Sequence, residues 1–336
     1  MPDITVINTS RRPTVVMQNK TTIRIAANAS HLPSKLLTND DLATLVDTND
    51  EWIVSRTGIK QRFIVDDHES TESLALASVK KLMSQNEQLA GKVPDLIVTA
   101  TSTPTRFLPS ISSFIASECF MGDIMAFDLN AACSGFCYAI HVAHSLMISA
   151  NLDNALVIGT DTMSRVVDWR DRNTCILFGD GAGCLWLQKD TKPGIVSCYS
   201  SGNASNYNSL HATGGYQAPN QHHLTMQGSD VFKVAVKQFV QMTLDTLKQA
   251  GKTVAELDWL ITHQANYRII QAVSRQLGID MNKVVVTVDQ HANTSAASLP
   301  LAIASAVEKE ELQVGDLVLL LAFGAGYTWS SVLMYY

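Results

Sequence analysis

Three residues of reactive type stand where strand-like runs give way to turns: Cys133, His263 and Asn293. Cys133 lies in DLNAACSGF, whose small residues allow a tight turn before the helix-compatible stretch FCYAIHVAHSL. The unpaired N–H groups and the dipole of a helix start favour the thiolate, which is the nucleophilic form, and can also bind a developing oxyanion. A buried, inert cysteine is the alternative interpretation of Cys133 taken alone.

His263 and Asn293 strengthen the catalytic interpretation of Cys133. Both follow strand-like runs, in LITHQAN and HANTSAAS, and ligands of α/β sheets bind at the carboxyl ends of strands. Taken singly, His263 fits a satisfied, partly buried histidine and Asn293 fits a helix cap. Jointly, a thiol, an imidazole and an amide at strand ends predict one reactive site.

The elements that position these residues come from an internal repeat, because residues 94–163 and 257–326 follow one plan. Each copy runs through a strand-like segment, a helix, a second strand-like segment, a second helix and an apolar segment. The second helix is predicted to end at about Ser149 in the first copy and at about Lys309 in the second. Short β-branched runs alternating with helical patterns predict a mostly parallel, buried sheet with helices on its faces.

The two copies differ at the reactive positions. The place that His263 holds in the second copy is held by Ala100 in the first. Cys133 and Asn293 each follow an aspartate, by five and four residues, where an extended segment turns into a helix. We infer that the repeat makes the scaffold and that the differences make the site.

Composition limits the classes of protein that the chain can belong to. Its 336 residues are 46% hydrophobic and 17% charged, which is typical of an ordered globular enzyme large enough for two domains. A formal net charge of −6 argues against a nucleic-acid binder. No apolar run approaches the roughly 20 residues of a membrane span, and residues 1–21 read as a loose extension without a secretory signal. The six cysteines form no disulfide-like framework, which predicts a soluble protein of a reducing cytoplasm.

Two further motifs invite functional interpretations that their spacing does not support. GDGAG at 179–183 is followed by the apolar, strand-like CLWLQ, so a structural turn is expected and not a nucleotide-binding loop. Cys133, Cys137, His141 and His144 could share a helix face, but eleven residues of helix rise roughly 16 Å. Ligands of one zinc ion must all lie within about 2.3 Å of it, so no metal site is predicted there.

Seven motifs, in order along the chain, make it resemble β-ketoacyl-acyl-carrier-protein synthase III, from Thr22 to Tyr336: TNDEWIVSRTGIKQRFI, DLNAACSGF, LFGDGAG, LTMQGSDVFKVAV, LITHQANYRII, HANTSAAS and AFGAGYTWSS. The resemblance implies an α/β, thiolase-like duplicated fold with five αβαβα layers and two mixed, mostly parallel sheets. It further implies an N-terminal half at 22–192, a C-terminal half at 193–336, a homodimer, and no cofactor or metal beyond the substrates.

The resemblance also implies an activity. Enzymes of this family condense an acyl-CoA primer with malonyl-acyl carrier protein, releasing CoA and CO₂, by a ping-pong reaction through an acyl-cysteine. Cys133 would be the acyl-accepting nucleophile, while His263 and Asn293 would promote decarboxylation and stabilise the enolate. The N–H groups of Cys133 and Ala325 would form the oxyanion hole. A specialised ketosynthase, a non-condensing acyltransferase that passes the acyl group to an alcohol or amine, and a silent scaffold subunit are the alternatives, the last disfavoured by the intact triad.

Family positions outside the triad imply substrate contacts. The residues implied to bind CoA are Trp52, Arg56, Arg172 and Gly228. Lys233, Lys237, Arg268 and Arg275 lie on two helix-like stretches and are predicted to form a basic surface for the acidic carrier protein, with a solvated charged face as the alternative. Of these, Lys233 and Arg268 match family positions. In TRFLPS, Leu108 stands where an aromatic residue is frequent in the family, at a loop that helps to close the acyl pocket across the dimer. The shorter leucine predicts room for primers of four carbons or more; the alternative is that the adjacent Phe107 or another side chain fills the same volume.

Overall fold

A computed structural model of the chain describes residues 22–213 and 223–336. The extension predicted at residues 1–21 lies outside the described residues. Thirteen strands are present in that part of the chain: β1 (Thr22–His31), β2 (Lys35–Thr38), β3 (Gln61–Ile64), β4 (Leu96–Ala100), β5 (Met125–Leu129), β6 (Asn154–Thr162), β7 (Asp180–Asp190), β8 (Ile195–Gly202), β9 (Leu210–Ala212), β10 (Leu224–Met226), β11 (Trp259–Thr262), β12 (Leu317–Gly324) and β13 (Thr328–Tyr335).

Ten α-helices occur in the same described ranges: α1 (Asn39–Ala43), α2 (Asp50–Thr57), α3 (Thr71–Gln85), α4 (Ile111–Cys119), α5 (Gly135–Ser149), α6 (Arg172–Cys175), α7 (Gly228–Gln249), α8 (Tyr267–Leu277), α9 (Val288–His291) and α10 (Ser298–Glu308). The helix ends expected at about Ser149 and Lys309 are confirmed to within one residue. Short 3₁₀ turns precede two of the helices, Ala132–Ser134 before α5 and Ser295–Ala297 before α10.

Two sheets organise the molecule. The first has the order β1-β7-β6-β4-β5 and the second has the order β11-β12-β13-β8. In each sheet the strand that starts the repeat (β4 or β11) pairs in parallel with the strand that ends it (β6 or β12). The next neighbours, β7 and β13, then run antiparallel to that strand. The same order and the same directions in both sheets confirm the duplication.

The duplication also corrects one comparison made from the sequence. The two copies can be aligned by the starts of their elements. The number of residues from Leu96 to Trp259, where β4 and β11 begin, equals the number from Gly135 to Ser298, where α5 and α10 begin. In that register Cys133 corresponds to Ala296, not to Asn293. The spacing from the preceding aspartates misplaced the pair by three residues.

Helices fill three layers around the two sheets. Helices α3 and α4 cover the outer face of the first sheet, α5 and α10 lie between the sheets, and α7 and α8 cover the outer face of the second. Apolar side chains fill each of the spaces between layers, with the central cluster drawn from both sheets. The predicted five-layered αβαβα arrangement is therefore confirmed.

The prediction that the sheets are mostly parallel is wrong, although their mixed character is confirmed. Three pairings in the two large sheets are parallel (β4 with β5, β4 with β6, β11 with β12). Four are antiparallel (β1 with β7, β6 with β7, β12 with β13, β13 with β8). The strand-and-helix alternation of the repeat accounts only for the parallel pairings, because β7 and β13 return without a crossover helix.

Two local predictions also differ from the structure. GDGAG does not form a separate turn, because β7 begins at Asp180 and includes the last four residues of the motif. A Cβ at Gly183 would lie 2.7 Å from Pro300, so the glycine allows α10 to pack closely on this strand. The extended segment predicted after α8 forms a single bridge between Val284 and Leu260, where the first copy has the whole strand β5.

Helix α5 belongs to the core. In the described residues, one helical stretch, Ala132–Ser149, is long and apolar enough to cross a membrane, and half of it is buried inside the protein. It packs against strands of both sheets, including β6 and β12. That setting accounts for its apolar composition as a central core helix.

Candidate active site

A cavity of about 1190 Å³ opens where the carboxyl ends of the central strands from both halves meet. Cys133, His263 and Asn293 all line it, and each is less than a tenth exposed. The structure therefore brings together the three reactive residues singled out from the sequence, which lie far apart in the chain.

Cys133 is held by a tight turn between β5 and α5. Ala132, the residue before it, has a left-handed backbone with φ of 49°. Asn130 stabilises this conformation, since its side-chain oxygen accepts the N–H of Ala132 at 3.0 Å. Helix α5 begins two residues after Cys133, so the thiol lies at a helix start as predicted.

The protonation state of Cys133 differs from the sequence-based expectation. A helix start favours the thiolate, but burial dominates and raises the pKa of the Cys133 thiol to about 11. A hydrogen bond from the side chain of Ser295 opposes this shift, and the negative charge of Asp161 adds to it. With this pKa Cys133 is a neutral thiol at neutral pH and needs a proton acceptor before it can attack.

His263 is a neutral imidazole with a defined orientation. It follows β11, is 3% exposed, and burial lowers its pKa to about 3. Its Nδ1 lies 2.8 Å from the hydroxyl of Ser298, whose oxygen accepts the N–H of Gln264 at 2.9 Å. We assign the Ser298 hydroxyl as the donor to Nδ1, which places the ring proton on Nε2. His263 thus offers an N–H donor to the cavity.

Asn293 is oriented in a similar way. Its side-chain oxygen accepts the backbone N–H of Ser295 at 2.9 Å, which leaves the amide NH₂ group as a donor. Its own backbone is anchored on both sides, because its N–H donates to Leu177 and its carbonyl accepts from Gly179. Two neutral donors, from His263 and Asn293, therefore lie in the wall of the cavity that also holds the thiol.

Gln264 fixes the segment that leads to Asn293. Its amide nitrogen donates to the carbonyl of Val285 at 3.1 Å, and its amide oxygen accepts the N–H groups of Thr287 and Val288. These bonds satisfy backbone groups that a neighbouring strand would otherwise pair. They explain why the predicted extended segment is not a strand.

The turn after β12 lies directly against Cys133. A Cβ at Gly324 would be 2.8 Å from the backbone nitrogen of Cys133, so only glycine allows this approach. The next residue, Ala325, lines the cavity, and Gly326 has φ of 71°. The structure thus places Ala325 beside Cys133, where the resemblance implies a shared oxyanion hole.

An aromatic and cationic cluster stands at the mouth of the cavity. The guanidinium of Arg56 lies 4.7 Å from the ring centroid of Trp52, and that of Arg172 lies 5.0 Å from the same ring. Helix α2, which carries Trp52 and Arg56, is capped by Asn49 and ends at Gly58, whose φ is 76°. Such stacked planes can enclose a purine base and bind phosphates.

The remaining predicted contacts divide into two groups. Gly228, Lys233 and Arg268 line the cavity with the triad. Four predicted residues are not found among the described residues that form its wall. They are Arg172, which stacks on Trp52, Lys237 of α7, Arg275, which lies in the last turn of α8, and Leu108, which is 84% exposed.

Several residues of the site could not be recognised in the sequence. Phe323 lines the cavity, Ser298 orients His263, and Asp161 lies buried beneath the turn that holds Ser295. Serine, aspartate and phenylalanine are common residues, and each of these acts on a partner distant in the chain. No group of three or more metal-ligating side chains occurs at residues 22–213 and 223–336.

Comparison with known proteins gives consistent results. The sequence model described as 3-oxoacyl-[acyl-carrier-protein (ACP)] synthase III matches residues 127–203. The model of that family's C-terminal part matches residues 247–336.

Individual relatives match over nearly the whole chain. A β-ketoacyl-[acyl-carrier-protein] synthase III of Xanthomonas campestris pv. campestris is 46% identical over 93% of this chain and 98% of its own length. One from Wolbachia pipientis wMel is 44% identical with the same coverage. The crystal structure of 3-oxoacyl-[acyl-carrier-protein] synthase III from Aquifex aeolicus VF5 superposes with a TM-score of 0.89 at 38% identity, covering 94% of this chain and 100% of that one.

Proposed function

The chain belongs to the β-ketoacyl-[acyl-carrier-protein] synthase III family, and from that premise we propose that it works in two stages through an acyl group carried on Cys133. It is an acyltransferase that condenses an acyl-CoA with malonyl-acyl carrier protein, the reaction that initiates fatty-acid synthesis. What the proposal adds is the division of labour among the residues of the cavity.

In the first stage the Cys133 thiolate attacks the carbonyl carbon of the acyl-CoA. The oxygen of the tetrahedral intermediate accepts the N–H groups of Cys133 and Ala325. The bond to the CoA sulfur then breaks, and CoA leaves as its thiol with the proton that Cys133 gave up. One thioester replaces another, so this stage costs little free energy and divides the condensation into two easier steps.

In the second stage malonyl-acyl carrier protein enters the same cavity. Its C–CO₂ bond breaks and the electron pair moves onto the thioester, whose oxygen gains negative charge. The Nε2–H of His263 and the amide NH₂ of Asn293 donate to that oxygen. The enolate carbon attacks the acyl-Cys133 carbonyl, and collapse of the intermediate returns the cysteine sulfur and releases the 3-oxoacyl product.

One observation carries the proposal more than any other. Ser298 hydrogen-bonds Nδ1 of His263, and the backbone N–H of Ser295 donates to the side-chain oxygen of Asn293. These bonds leave the Nε2–H of His263 and the NH₂ group of Asn293 for the reaction. Both side chains are therefore left as neutral donors, which is what a developing enolate needs. A buried imidazole with a pKa of about 3 remains a neutral donor at neutral pH.

We expect CoA to enter past the cluster at the cavity mouth. Trp52 and Arg56 would hold the adenine, Arg172 would bind phosphate, and Gly228 would allow the pantetheine arm to pass close to the backbone. The carrier protein, which is acidic, would dock on the neighbouring basic surface of Lys233, Lys237, Arg268 and Arg275. Lys233 and Arg268 line the cavity, which supports docking next to its entrance.

The exposed edge strand of the first sheet, β5, supports the proposal that the enzyme is a homodimer. Among the described strands β5 pairs with β4 alone. The apolar side chains around it are exposed: Leu108 by 84%, Met121 by 81% and Met125 by 45%. An open edge with an apolar surround suits a second copy that continues the sheet. Leu108 would then reach the acyl pocket of the partner, since α4, three residues further on, begins against Asp128 of β5.

A cytoplasmic enzyme without a cofactor completes the proposal. Each of the six cysteines is a free thiol, as expected in a reducing compartment. Loss of CO₂ drives the carbon–carbon bond formation and neutral donors hold the enolate, so the substrates supply all the chemistry that the reaction requires.

Intact-mass analysis tests the two-stage reaction. Mixed with an acyl-CoA, the enzyme should gain one acyl group, on the peptide that contains Cys133. Adding malonyl-carrier protein should then remove this mass and release CO₂. Transfer of the acyl group to an added alcohol or amine, without CO₂ release, would instead identify a non-condensing acyltransferase.

Variants separate the two docking surfaces in the same experiment. Arg56→Ala should raise the apparent KM for acyl-CoA by about tenfold, the loss of one charge-assisted contact. Arg268→Ala should act mainly on the carrier protein, with the effect shrinking as salt increases. Unaltered apparent affinities in both variants would refute the docking assignments.

A further inference from the structure

Arg62 is a fully buried guanidinium group whose hydrogen-bond acceptors carry no charge. It lies in β3, has no exposed surface, and remains a cation at neutral pH although burial lowers its pKa to about 10. Its two terminal nitrogens donate to the side-chain oxygen of Asn39 and to the carbonyl oxygen of Ile176, each at 2.8 Å. A buried cation is costly, and an apolar side chain of similar volume would fill the same space without that cost. The charge and its two directed bonds therefore point to a role beyond packing.

Asn39 passes the contact with Arg62 on to helix α2. Because a guanidinium can only donate, we assign the amide of Asn39 with its oxygen toward Arg62 and its nitrogen away from it. That nitrogen donates to the carboxylate of Asp50, in the first turn of α2, and to the carbonyl of Ile59, beyond its last turn, at 2.8 Å each. Asn39 is itself buried. Its amide thus holds both ends of α2.

Ile176 connects Arg62 to a second part of the cavity mouth. It directly follows α6, the short helix that begins at Arg172. The next residue, Leu177, accepts the backbone N–H of Asn293 at 2.9 Å. One buried side chain therefore joins α2 to the segment 172–177, which leads from a predicted phosphate contact to the turn of Asn293.

The two stacking contacts on Trp52 depend on this link to different degrees. Arg56 lies on the same helix as Trp52, one turn further on, so its stacking depends on α2 alone. Arg172 belongs to the segment 172–177, so its distance of 5.0 Å from the ring depends on how that segment lies against α2. At the surface Arg172 also donates to the carbonyl of Asp47 at 2.7 Å, but both side chains are exposed, and such contacts contribute little. The buried bonds of Arg62 are therefore the main constraint on the second stacking contact.

We propose that the buried pair of Arg62 and Asn39 positions the CoA entrance: it holds α2 and the segment 172–177 at the separation that lets Arg172 stack on Trp52. The inference rests on the proposed binding of CoA at this cluster and identifies what sets the geometry of the cluster. Both members of the pair are buried, so they act through the two segments and not by touching the substrate. Breaking the link to α2 should weaken the use of acyl-CoA and leave turnover largely intact.

Two variants break the link at its buried positions. Asn39→Asp keeps an acceptor for Arg62 but can no longer donate to Asp50 or Ile59. Arg62→Met removes both bonds of the guanidinium and keeps an unbranched apolar side chain. The KM for acetyl-CoA should rise about fivefold in Asn39→Asp, the equivalent of one hydrogen bond, and by more in Arg62→Met. The turnover number of Asn39→Asp should stay within about twofold of the wild type.

A matched pair of variants tests the same link from the exposed surface of α2. Asp50 and Glu51 are both exposed acidic residues of its first turn, and Asp50 accepts from Asn39. Alanine at either position removes one negative charge, which by itself favours an anionic CoA. The KM should nevertheless rise about fivefold in Asp50→Ala, because the link is cut, and should be unchanged or lower in Glu51→Ala.

Fluorine NMR measures the stacking on Trp52 without CoA. In protein labelled with 5-fluorotryptophan, the resonance that Trp52→Phe removes identifies Trp52 among the five tryptophans. Arg172→Ala then gives the position of that resonance when the second stacking contact is lost. The Trp52 resonance should move toward this position in Asn39→Asp and Asp50→Ala and stay in place in Glu51→Ala.

The outcomes separate this inference from the proposed function. An unmoved Trp52 resonance in Asn39→Asp and Asp50→Ala, or an equal movement in Glu51→Ala, would overturn the positioning role. So would a lower turnover number at unchanged KM, or a KM that responds to Arg56→Ala but to neither link variant. If the KM does not respond to Arg56→Ala, the docking of CoA at this cluster is refuted, and the Trp52 resonance still decides what sets the geometry. If Asn39→Asp fails to fold, as judged by its thermal melt, the comparison of Asp50→Ala with Glu51→Ala decides alone.

Discussion

The turn that carries Cys133 and the turn that carries Asn293 have the same backbone conformation. At the start of each, an asparagine accepts the N–H of the second residue after it: Asn130 from Ala132 at 3.0 Å, and Asn293 from Ser295 at 2.9 Å. Both second residues are left-handed, with φ of 49° and 51°. A 3₁₀ turn and a central helix follow in both cases. Because the two turns have the same backbone conformation, their different roles in the reaction come from the side chains that they carry.

The differences between the turns fall into matched pairs. Cys133 corresponds to Ala296. His263 with Ser298 corresponds to Ala100 with Gly135, which pack so closely that a Cβ on Gly135 would lie 3.1 Å from Ala100. In one half the pair makes a hydrogen bond, and in the other it makes a close apolar contact. The comparison teaches that a few substitutions on a repeated scaffold are sufficient to divide a reaction between its halves.

The largest effect on activity is expected when Cys133 is replaced by alanine, the residue found at the corresponding position, Ala296, of the second turn. Cys133→Ala should abolish acyl loading and condensation, by about 10⁴-fold or more, because it removes the nucleophile. The melting temperature should change little, since Ala296 already occupies this backbone geometry. Intact mass after incubation with acetyl-CoA checks the prediction, and an acylated Cys133→Ala protein would contradict it.

The reverse comparison replaces the donors of the second half. His263→Ala, which restores the residue found at Ala100, and Asn293→Ala should each slow decarboxylation by about 100- to 1000-fold. Acyl loading should be largely retained, because the enolate forms only in the second stage. Release of CO₂ from malonyl-carrier protein by pre-acylated enzyme is the measurement. Normal CO₂ release in both variants would show that the donors lie elsewhere.

A smaller effect is expected from the residue behind His263. Ser298→Ala removes the hydroxyl that the corresponding Gly135 also lacks. Decarboxylation should fall by about tenfold, the value of one hydrogen bond to a catalytic group, because the ring can then turn or change tautomer. Loading by acetyl-CoA serves as the internal control. Equal losses in both stages would indicate general damage to the site.

The pH dependence should separate the halves without any substitution. The pKa of His263 is lowered to about 3 from an ordinary 6.5, so the imidazole is neutral above that value and becomes protonated only as the pH falls through it. Decarboxylation by pre-acylated enzyme should therefore be flat from about pH 5 upward. An inflection near pH 6.5 would mean that the imidazole is not shielded.

The smallest effect concerns the loops that follow β4 and β11. The first runs outward over residues 101–110 and carries Leu108, whereas the second reaches α8 within four residues. In a competition among equimolar acetyl-, butyryl-, hexanoyl- and octanoyl-CoA, primers of four carbons or more should load at least as well as acetyl. Leu108→Phe should disfavour each added methylene by up to about 0.8 kcal/mol. Exclusive acetylation of the wild type would show that the pocket is closed.

The internal repeat could be predicted from the sequence more completely than the contacts between its two copies. Motifs around Cys133, His263 and Asn293, and the alternation of strands and helices, were sufficient for the duplication and the layers. The proportion of parallel pairing was wrong because no local pattern reveals that β7 and β13 return beside the strands they follow. Strand formation at Val284 was overestimated because the side chain of Gln264 takes the place of a strand partner there.

The contacts of Asp161, Ser295 and Ser298 could not be read from local patterns. Each depends on a close approach between segments that the fold alone brings together, such as Asp161 and Ala296. The repeat does carry one indication of these contacts. When the copies are aligned by their helix starts, Asp161 corresponds to Gly324, the residue that contacts the turn of Cys133, and this correspondence marks both positions as close to the reactive turns.

The position of α5 between the two sheets has a consequence for how the chain is made. This helix belongs to the first half, yet part of its apolar surface is covered by β12 and β13 of the second. A nascent chain that ends near residue 192 would expose that surface until the second sheet emerges from the ribosome, and a fragment of that length should aggregate. Full-length protein should unfold in one cooperative transition, because neither half can retain its core once the other is lost.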